Sequence, residues 1–296
     1  MTLASCDSRK TAGENPFFTE WDTPHGVPPF DKILPEHFMP AFERGMSLHE
    51  AEIDAITSNK DEATFENTIL AYDNAGQMLA QTELVFGMLC AAETNDRMQA
   101  LQEQAMPLLA AHRDKIRLDD KLFVRVKEVY DRRAALGLDA EQMRLLQKTY
   151  DSFVRAGALL DAEQKARLKE INGQLSLTAV KFGNNILAEN NNFVLELKSD
   201  ELDGLPAGIP DAAREKAQQM GKGDKLVFTL HKPSLIPLLT YSTRRDLREK
   251  IYKAYLNRCN NGDEYDNKQL INDFIRLRTE KAHLLGYPSY AAYVVA

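Results

Sequence analysis

The stretch DAEQKARLKEINGQLSLTAVKFGNNI, residues 161–186, decides the fold class of this chain. Its buried-type positions recur every three or four residues, close to the 3.6-residue period of an α-helix. These positions are Leu168, Ile171, Leu175, Thr178, Phe182 and Ile186. Asp161 stands before the first turn, where a short acidic side chain accepts hydrogen bonds from free backbone N–H groups. The spacing therefore predicts one long amphipathic helix that packs its apolar stripe against other helices.

The same helical period runs through most of the chain. Further helices are predicted over residues 34–57, 64–93, 95–115, 119–137, 211–220 and 265–285, with others starting near residues 139 and 243. Asp119 or Asp120 caps one of them, and Asp139 with Gln142 resembles a capping box for another. Thr243 is the candidate cap of the helix that starts near residue 243. Pro107 falls inside a helical run, which predicts a kink or a break there.

The period changes to two in a pair of short segments. Phe193, Leu195 and Leu197 alternate with other residues, and so do Leu226, Phe228 and Leu230. Alternation of this kind is typical of a β-strand. We therefore predict a mainly α protein with a small antiparallel β insertion.

Composition excludes several classes of function. The 296 residues are 44 % hydrophobic and 27 % charged, with a net charge of −7. A nucleic-acid surface needs a basic stripe, and the one basic cluster, at Arg244, Arg245, Arg248 and Lys250, is interpreted as a solvated helix face. We therefore predict no nucleic-acid partner. No apolar run reaches the roughly 20 residues of a membrane-spanning helix, so no transmembrane segment is predicted.

Cys6 is the one residue with a predicted modification. The sequence Leu3-Ala4-Ser5-Cys6 matches a bacterial lipobox, and the polar residues 7–14 suit a tether. A lipidated cysteine would place the protein in the bacterial cell envelope, as a lipoprotein or a periplasmic protein. Only five residues precede Cys6, fewer than a full signal contains. The alternative is a chance cysteine in a cytoplasmic protein.

The chain contains no self-contained catalytic motif. None of the six histidines completes the zinc motif H-E-x-x-H, and the nearest approach, at His49 and Glu50, has Ile53 in place of the second histidine. Glu280 and His283 form a single Glu-x-x-His pair, whereas a di-metal bundle needs two. G-x-S-x-G and G-x-G-x-x-G are also missing. No catalytic, cofactor-binding or metal-binding residue is therefore assigned.

Several ordered stretches nevertheless resemble the thimet-oligopeptidase-like zinc metallopeptidases. They are NPFFTEWDTP (15–24), VPPFDKI (27–33), PEHFMPAF (35–42), TFENTI (64–69), FVRAGA (153–158), GLP (204–206), YSTRRDLR (241–248) and RLRTEKAHLLGY (276–287). Each stretch alone is a weak indicator. Their common order over nearly the whole chain is a strong one.

The resemblance implies a two-lobed, mainly helical protein with a deep channel for flexible peptides. It implies zinc, held by a His-Glu-x-x-His helix and a later glutamate in the C-terminal part of such enzymes. None of those ligands corresponds to a position in this chain, so we expect zinc in the full-length enzyme and none bound here. The expected segments are a signal remnant and tether (1–15), an N-terminal helical domain (16–190), a β region with a short helix (191–240) and the start of a catalytic lobe (241–296).

Two functions remain open on the sequence. The first is the N-terminal portion of a peptidyl-dipeptidase, which removes C-terminal dipeptides from oligopeptides and needs a missing C-terminal catalytic half. The second is a stand-alone helical scaffold that binds peptides or a partner without cleaving them. The ending SYAAYVVA, residues 289–296, reads as an apolar helix start without a cap or a polar tail. This ending favours the first function, in which the chain is the N-terminal portion of an enzyme and is inactive by itself.

Overall fold

The computed structural model describes residues 15–296 and is mainly helical, as predicted. It divides into two compact units. Unit 1 comprises the described residues up to Leu177 together with Arg278–Ala296, and unit 2 comprises Thr178–Leu277. The segment boundaries at residues 190 and 240 stay a prediction. No helix within residues 15–296 has the length and apolarity to cross a membrane.

The elements follow one another in a simple order. Three short 3₁₀ turns at Pro16–Phe18, Pro24–Gly26 and Pro35–His37 precede α1 (Phe38–Ser58), a π-helical turn (Phe65–Leu70), α2 (Ala71–Asp73), α3 (Gln77–Ala92), α4 (Asp96–Arg117), α5 (Asp120–Asp131), a 3₁₀ turn (Arg133–Ala135), α6 (Ala140–Ala156) and α7 (Ala162–Asn192). After these come β1 (Leu195–Leu197), a 3₁₀ turn (Ser199–Glu201), α8 (Gly208–Gln219), β2 (Leu226–Phe228), α9 (Lys232–Tyr241), α10 (Arg245–Leu256), α11 (Lys268–Leu284) and α12 (Tyr290–Val295).

The predicted helix starts are largely confirmed by their caps. The Asp139 carboxylate accepts a hydrogen bond from the Gln142 N–H at 2.8 Å, and the Gln142 side chain accepts one from the Asp139 N–H at 3.1 Å. Asp119, rather than Asp120, caps α5 through the Leu122 N–H at 2.8 Å. Each such cap satisfies backbone donors that the first helical turn leaves unpaired.

The predicted helix over residues 64–93 is wrong as one continuous element. A π-helical turn and α2 are followed by a break before α3, at Gly76, whose φ is +76°. The Gly76 N–H donates to Glu52 Oε2 at 2.7 Å, and the ring of His49 occupies the space that a Cβ would need. A contact with α1 therefore ends the helix, which the local sequence pattern does not show.

Three further predictions need correction in whole or in part. Of the kink or break predicted at Pro107, the break does not occur, since α4 continues through this residue with Ala105 and Leu109 buried on either side. Thr243 does not cap α10, because its N–H and hydroxyl bind the Asp203 carbonyl oxygen. The last helix does have a cap, since the Ser289 hydroxyl accepts a hydrogen bond from the Ala292 N–H at 3.1 Å.

Unit 1 contains two apolar clusters. One joins α1, the π-helical turn, α5 and α6, and its fully buried members are Ile69, Leu122, Val126, Val129, Leu146 and Phe153. The other is aromatic, with the Phe86 ring centroid 4.9 Å from that of Phe38 and 5.3 Å from that of Phe42. Edge-to-face rings of this kind add to the free energy gained from apolar burial. Phe38, Phe42 and Phe86 are therefore core residues.

Unit 2 is built on the predicted strand pair. β1 and β2 are antiparallel, with Leu195 opposite Phe228 and Leu197 opposite Leu226. All four side chains are buried in an apolar cluster that also contains residues of α8, α9 and α10. A two-stranded sheet is marginal in water, and the surrounding helices supply the burial that stabilises it.

At Gly204, two of the stretches that carry the family resemblance lie against each other. They are GLP (204–206) and YSTRRDLR (241–248). Its φ is +84°, and a Cβ built there would overlap the carbonyl oxygen of Tyr241. Next to it, the Thr243 N–H donates to the Asp203 carbonyl at 3.0 Å. Only glycine therefore permits residues 203–204 to lie against residues 241–243.

We predict that Gly204→Ala lowers the free energy of unfolding by roughly 2–4 kcal/mol, the sum of a left-handed backbone penalty and overpacking. Gly221→Ala is the matched control, because Gly221 has a φ of +67° in the same unit and open space around its Cβ position. It should cost about 1 kcal/mol. Urea unfolding followed by circular dichroism measures both changes. Equal losses would show that the contact with Tyr241 does not matter.

Candidate functional site

The near-motif at His49 gains a histidine partner in the folded chain. His112 of α4 places its Nε2 atom 3.0 Å from Nδ1 of His49, although 63 residues separate them. The His112 side chain is 5 % exposed, whereas His49 is half-buried. Ile53, which stands in place of the second zinc-ligating histidine, is buried in the core of unit 1. The sequence indicates neither this pair nor its burial.

Charged groups surround the histidine pair. Glu50 Oε1 lies 3.5 Å from Nδ1 of His112, and Glu50 Oε2 lies 2.8 Å from Nζ of Lys115. A cavity of about 220 Å³ adjoins both imidazole rings and is lined also by Tyr72, Gly76, Leu79, Glu83, Arg113 and Arg117. The arrangement is one buried and one half-buried imidazole, with a carboxylate near the outer nitrogen of His112.

Burial decides the protonation of this pair. Desolvation lowers the pKa of His112, and the Glu50 carboxylate offsets part of that effect. Desolvation also lowers the pKa of His49, with a further lowering by His112. Two neutral rings share one N–H···N hydrogen bond, whereas two protonated rings would place donors against each other. The pair therefore favours the neutral state and can accept a proton as the pH falls.

A second buried polar chain links α4, α7 and α11 within unit 1. The Asn172 amide donates to Asp114 Oδ1 at 2.8 Å and accepts from Nζ of Lys281 at 2.7 Å. Burial raises the pKa of Asp114 and lowers the pKa of Lys281. Since the amide supplies both a donor and an acceptor, it satisfies an acid and a base that do not touch each other.

The Glu-x-x-His pair of α11 is used in structural contacts. Glu280 forms a bidentate ion pair with Arg167 of α7, at 2.6 and 2.9 Å. His283 places Nε2 3.3 Å from the carbonyl oxygen of Pro288. Within residues 15–296, no three His, Cys, Asp or Glu side chains are grouped to hold a metal ion. The residues that the structure describes thus offer no donor set for zinc.

The basic cluster and two of the three cysteines lie among the residues that the structure describes. Arg244 pairs with Asp246 at 2.7 Å and with Glu201 at 3.5 Å, as expected for a solvated basic face. Burial raises the pKa of Cys90 and that of Cys259 to about 11, which leaves both thiols unreactive. Cys6, the predicted lipidation site, lies outside the described residues.

Comparison with known proteins identifies the relatives of this chain. The model of Peptidase family M3 matches residues 238–296. The dipeptidyl carboxypeptidase of Escherichia coli (strain K12) is 36 % identical over 283 residues, which is 95 % of this chain and 42 % of that protein. The predicted resemblance to thimet-oligopeptidase-like peptidases is confirmed. The motifs quoted from the sequence and the helical architecture agree with this relationship.

Other relatives extend the same match. Oligopeptidase A of Escherichia coli (strain K12) is 27 % identical over 91 % of this chain and 40 % of its own length. The thimet-like oligopeptidase of Dictyostelium discoideum is 24 % identical over 87 % of this chain and 37 % of its own length. The chain thus spans less than half the length of the curated relatives that it matches.

The histidine pair predicts a pH dependence of stability. The folded pKa values of His49 and His112 both lie below the ordinary 6.5, so the unfolded chain binds protons at a higher pH than the folded chain. The stabilisation from neutral, buried rings is therefore complete above pH 6.5. It is lost as the pH falls from 6.5 through the lower folded pKa values. We expect His112→Gln to show a smaller fall in unfolding free energy than the parent between about pH 7.5 and about pH 5.5.

Urea unfolding at the two pH values tests this expectation. His25→Gln, at an exposed histidine outside the pair, is the matched control. If His112→Gln and the parent lose the same free energy on acidification, the pair does not control stability in this range.

Proposed function

We propose that this chain is the N-terminal portion of a zinc-dependent peptidyl-dipeptidase, which removes dipeptides from the C-terminus of oligopeptides. The supporting observation is the 36 % identity to a dipeptidyl carboxypeptidase over 95 % of the chain. The match to Peptidase family M3 over residues 238–296 supports the same assignment. Weaker similarity to oligopeptidase A supports peptides as the substrate class.

The zinc ligands are proposed to belong to another part of such an enzyme. The sequence has no H-E-x-x-H motif, and the described residues have no group of three suitable ligands. Glu50, Glu280 and His112 already contact other side chains, namely those of Lys115, Arg167 and His49. Because the relatives are more than twice as long as the match, they have ample chain beyond it. This portion would contribute one wall of the peptide channel.

A fusion protein tests the proposal directly. This chain would replace the portion of the Escherichia coli dipeptidyl carboxypeptidase that it matches, leaving the remainder of that relative intact. We expect release of C-terminal dipeptides from an N-blocked peptide, inhibited by a chelator and restored by zinc. By itself, the 296-residue chain should bind far less than one equivalent of zinc and release no dipeptide, since too few metal ligands converge.

The controls separate this function from a peptide-binding scaffold. The intact relative is the positive control, and circular dichroism shows whether the fusion is folded. A folded fusion that binds the peptide without cleaving it would favour the scaffold. Chelator-sensitive cleavage by the isolated chain would mean that its metal site has been missed.

We also propose that Cys6 carries a lipid anchor that holds the protein in the bacterial cell envelope. The Leu3-Ala4-Ser5-Cys6 sequence and the polar residues after it support this location. Expressed with its natural upstream sequence, the protein should fractionate with membranes, and Cys6→Ser should release it. Cys90→Ser is the matched control, because Cys90 packs against the aromatic cluster of unit 1. Membrane retention that survives Cys6→Ser would contradict lipidation.

A further inference from the structure

An apolar cavity of about 280 Å³ lies in unit 2, between α8, the end of β2 and the first turn of α9. Val227 and Phe228 are fully buried beneath it, and Ala213 of α8 is 4 % exposed. Ile209, Ala212 and Pro233 complete its apolar lining. Ligand pockets usually measure roughly 300–1,000 Å³. This cavity is just below that range, which suits a single amino-acid residue better than a longer segment.

The polar groups of the cavity are one ammonium group, one imidazole and two hydroxyls. Lys216, Thr229, His231 and Ser234 line it, and its lining includes no acidic residue. Within the part of the chain that the structure describes, the Lys216 ammonium group has no ion-pair partner. The lining is therefore complementary to a negative charge beside an apolar group.

The Ser234 hydroxyl can still donate a hydrogen bond. Ser234 Oγ accepts a hydrogen bond from the Thr229 N–H at 3.0 Å, so the hydroxyl proton of Ser234 remains available. Thr229 Oγ1 lies 3.3 Å from Nδ1 of His231, which orients the imidazole and leaves its Nε2 atom free of that contact. Lys216, His231 and Ser234 thus line the same cavity as the apolar residues.

We propose that this cavity binds an apolar amino-acid residue with a free carboxylate, as found at the C-terminus of an oligopeptide. The apolar side chain would lie on Val227 and Phe228, and the carboxylate would bind Lys216 and the Ser234 hydroxyl. Charge-assisted hydrogen bonds of this kind are the strong ones. The apolar floor disfavours phosphate and other fully hydrated anions. The site needs only residues of α8, β2 and α9, so it does not depend on the proposed peptidase activity.

Three probes separate the two parts of the recognition. N-acetyl-leucine should bind the full chain with a dissociation constant that is roughly millimolar, as suits a ligand of this size. N-acetyl-leucine amide lacks the carboxylate and should bind about tenfold more weakly. N-acetylglycine lacks the apolar side chain and should also bind about tenfold more weakly. Isothermal titration gives the affinities, and amide chemical shifts of residues 226–229 locate the site.

Two variants with matched controls test the residues. Lys216→Met should weaken N-acetyl-leucine about tenfold and leave the amide unaffected, whereas Lys181→Met, at an exposed lysine of α7, should change neither. Ala212→Leu should fill the cavity and abolish binding of both, whereas Gln218→Leu, on the same helix, should not. Circular dichroism confirms that each variant is folded. Equal binding of all three probes, or shifts located elsewhere in the chain, would overturn the proposal.

Discussion

The buried guanidinium group of Arg125 holds the segment on which unit 1 depends. Its Nη1 atom donates to the carbonyl oxygens of Asn59 and Asp61 at 3.0 and 3.1 Å, and Nη2 donates to Oδ1 of Asn67 at 3.1 Å. A buried cation without partners costs several kcal/mol. The loop after α1 therefore cannot move away from α5 without leaving this charge unsatisfied. That restraint brings Phe65 into the core between α1, α5 and α6.

The contact with Arg125 also explains the polar residues of TFENTI (64–69), one of the stretches that carry the family resemblance. Thr64 and Asn67 form a reciprocal cap, at 2.9 and 3.1 Å, and the Asn67 amide also donates to the Glu62 carbonyl. One asparagine thus joins the turn, the preceding loop and Arg125. The apolar residues of the turn are then buried against α5 and α6. Local polar contacts and apolar burial support the same conformation, which is typical of a well-specified fold.

The polar chemistry of the described residues is mainly structural. Glu280 binds Arg167, Asp114 binds Asn172, and His112 binds His49. Each of these pairs joins two elements. Among the described residues, no three His, Cys, Asp or Glu side chains come together to hold a metal ion. By contrast, the cavity of unit 2 has cationic and hydroxyl groups with no acidic partner in its lining. The polar groups of the described residues thus mainly join structural elements, and those of this cavity differ in having no acidic neighbour in the lining.

The sequence by itself determined the fold class, the strand pair, most helices and most caps. Helical period, strand alternation and capping boxes arise from contacts within about four residues, which can be read along the chain. Only the tertiary structure decided the break at Gly76, the use of Thr243 and the pairing of His49 with His112. Their partners lie 24, 40 and 63 residues away. The cavity of unit 2 likewise forms from α8, β2 and α9, which the chain brings together only on folding. Which distant side chains meet depends on how whole helices pack, and local patterns do not contain that information.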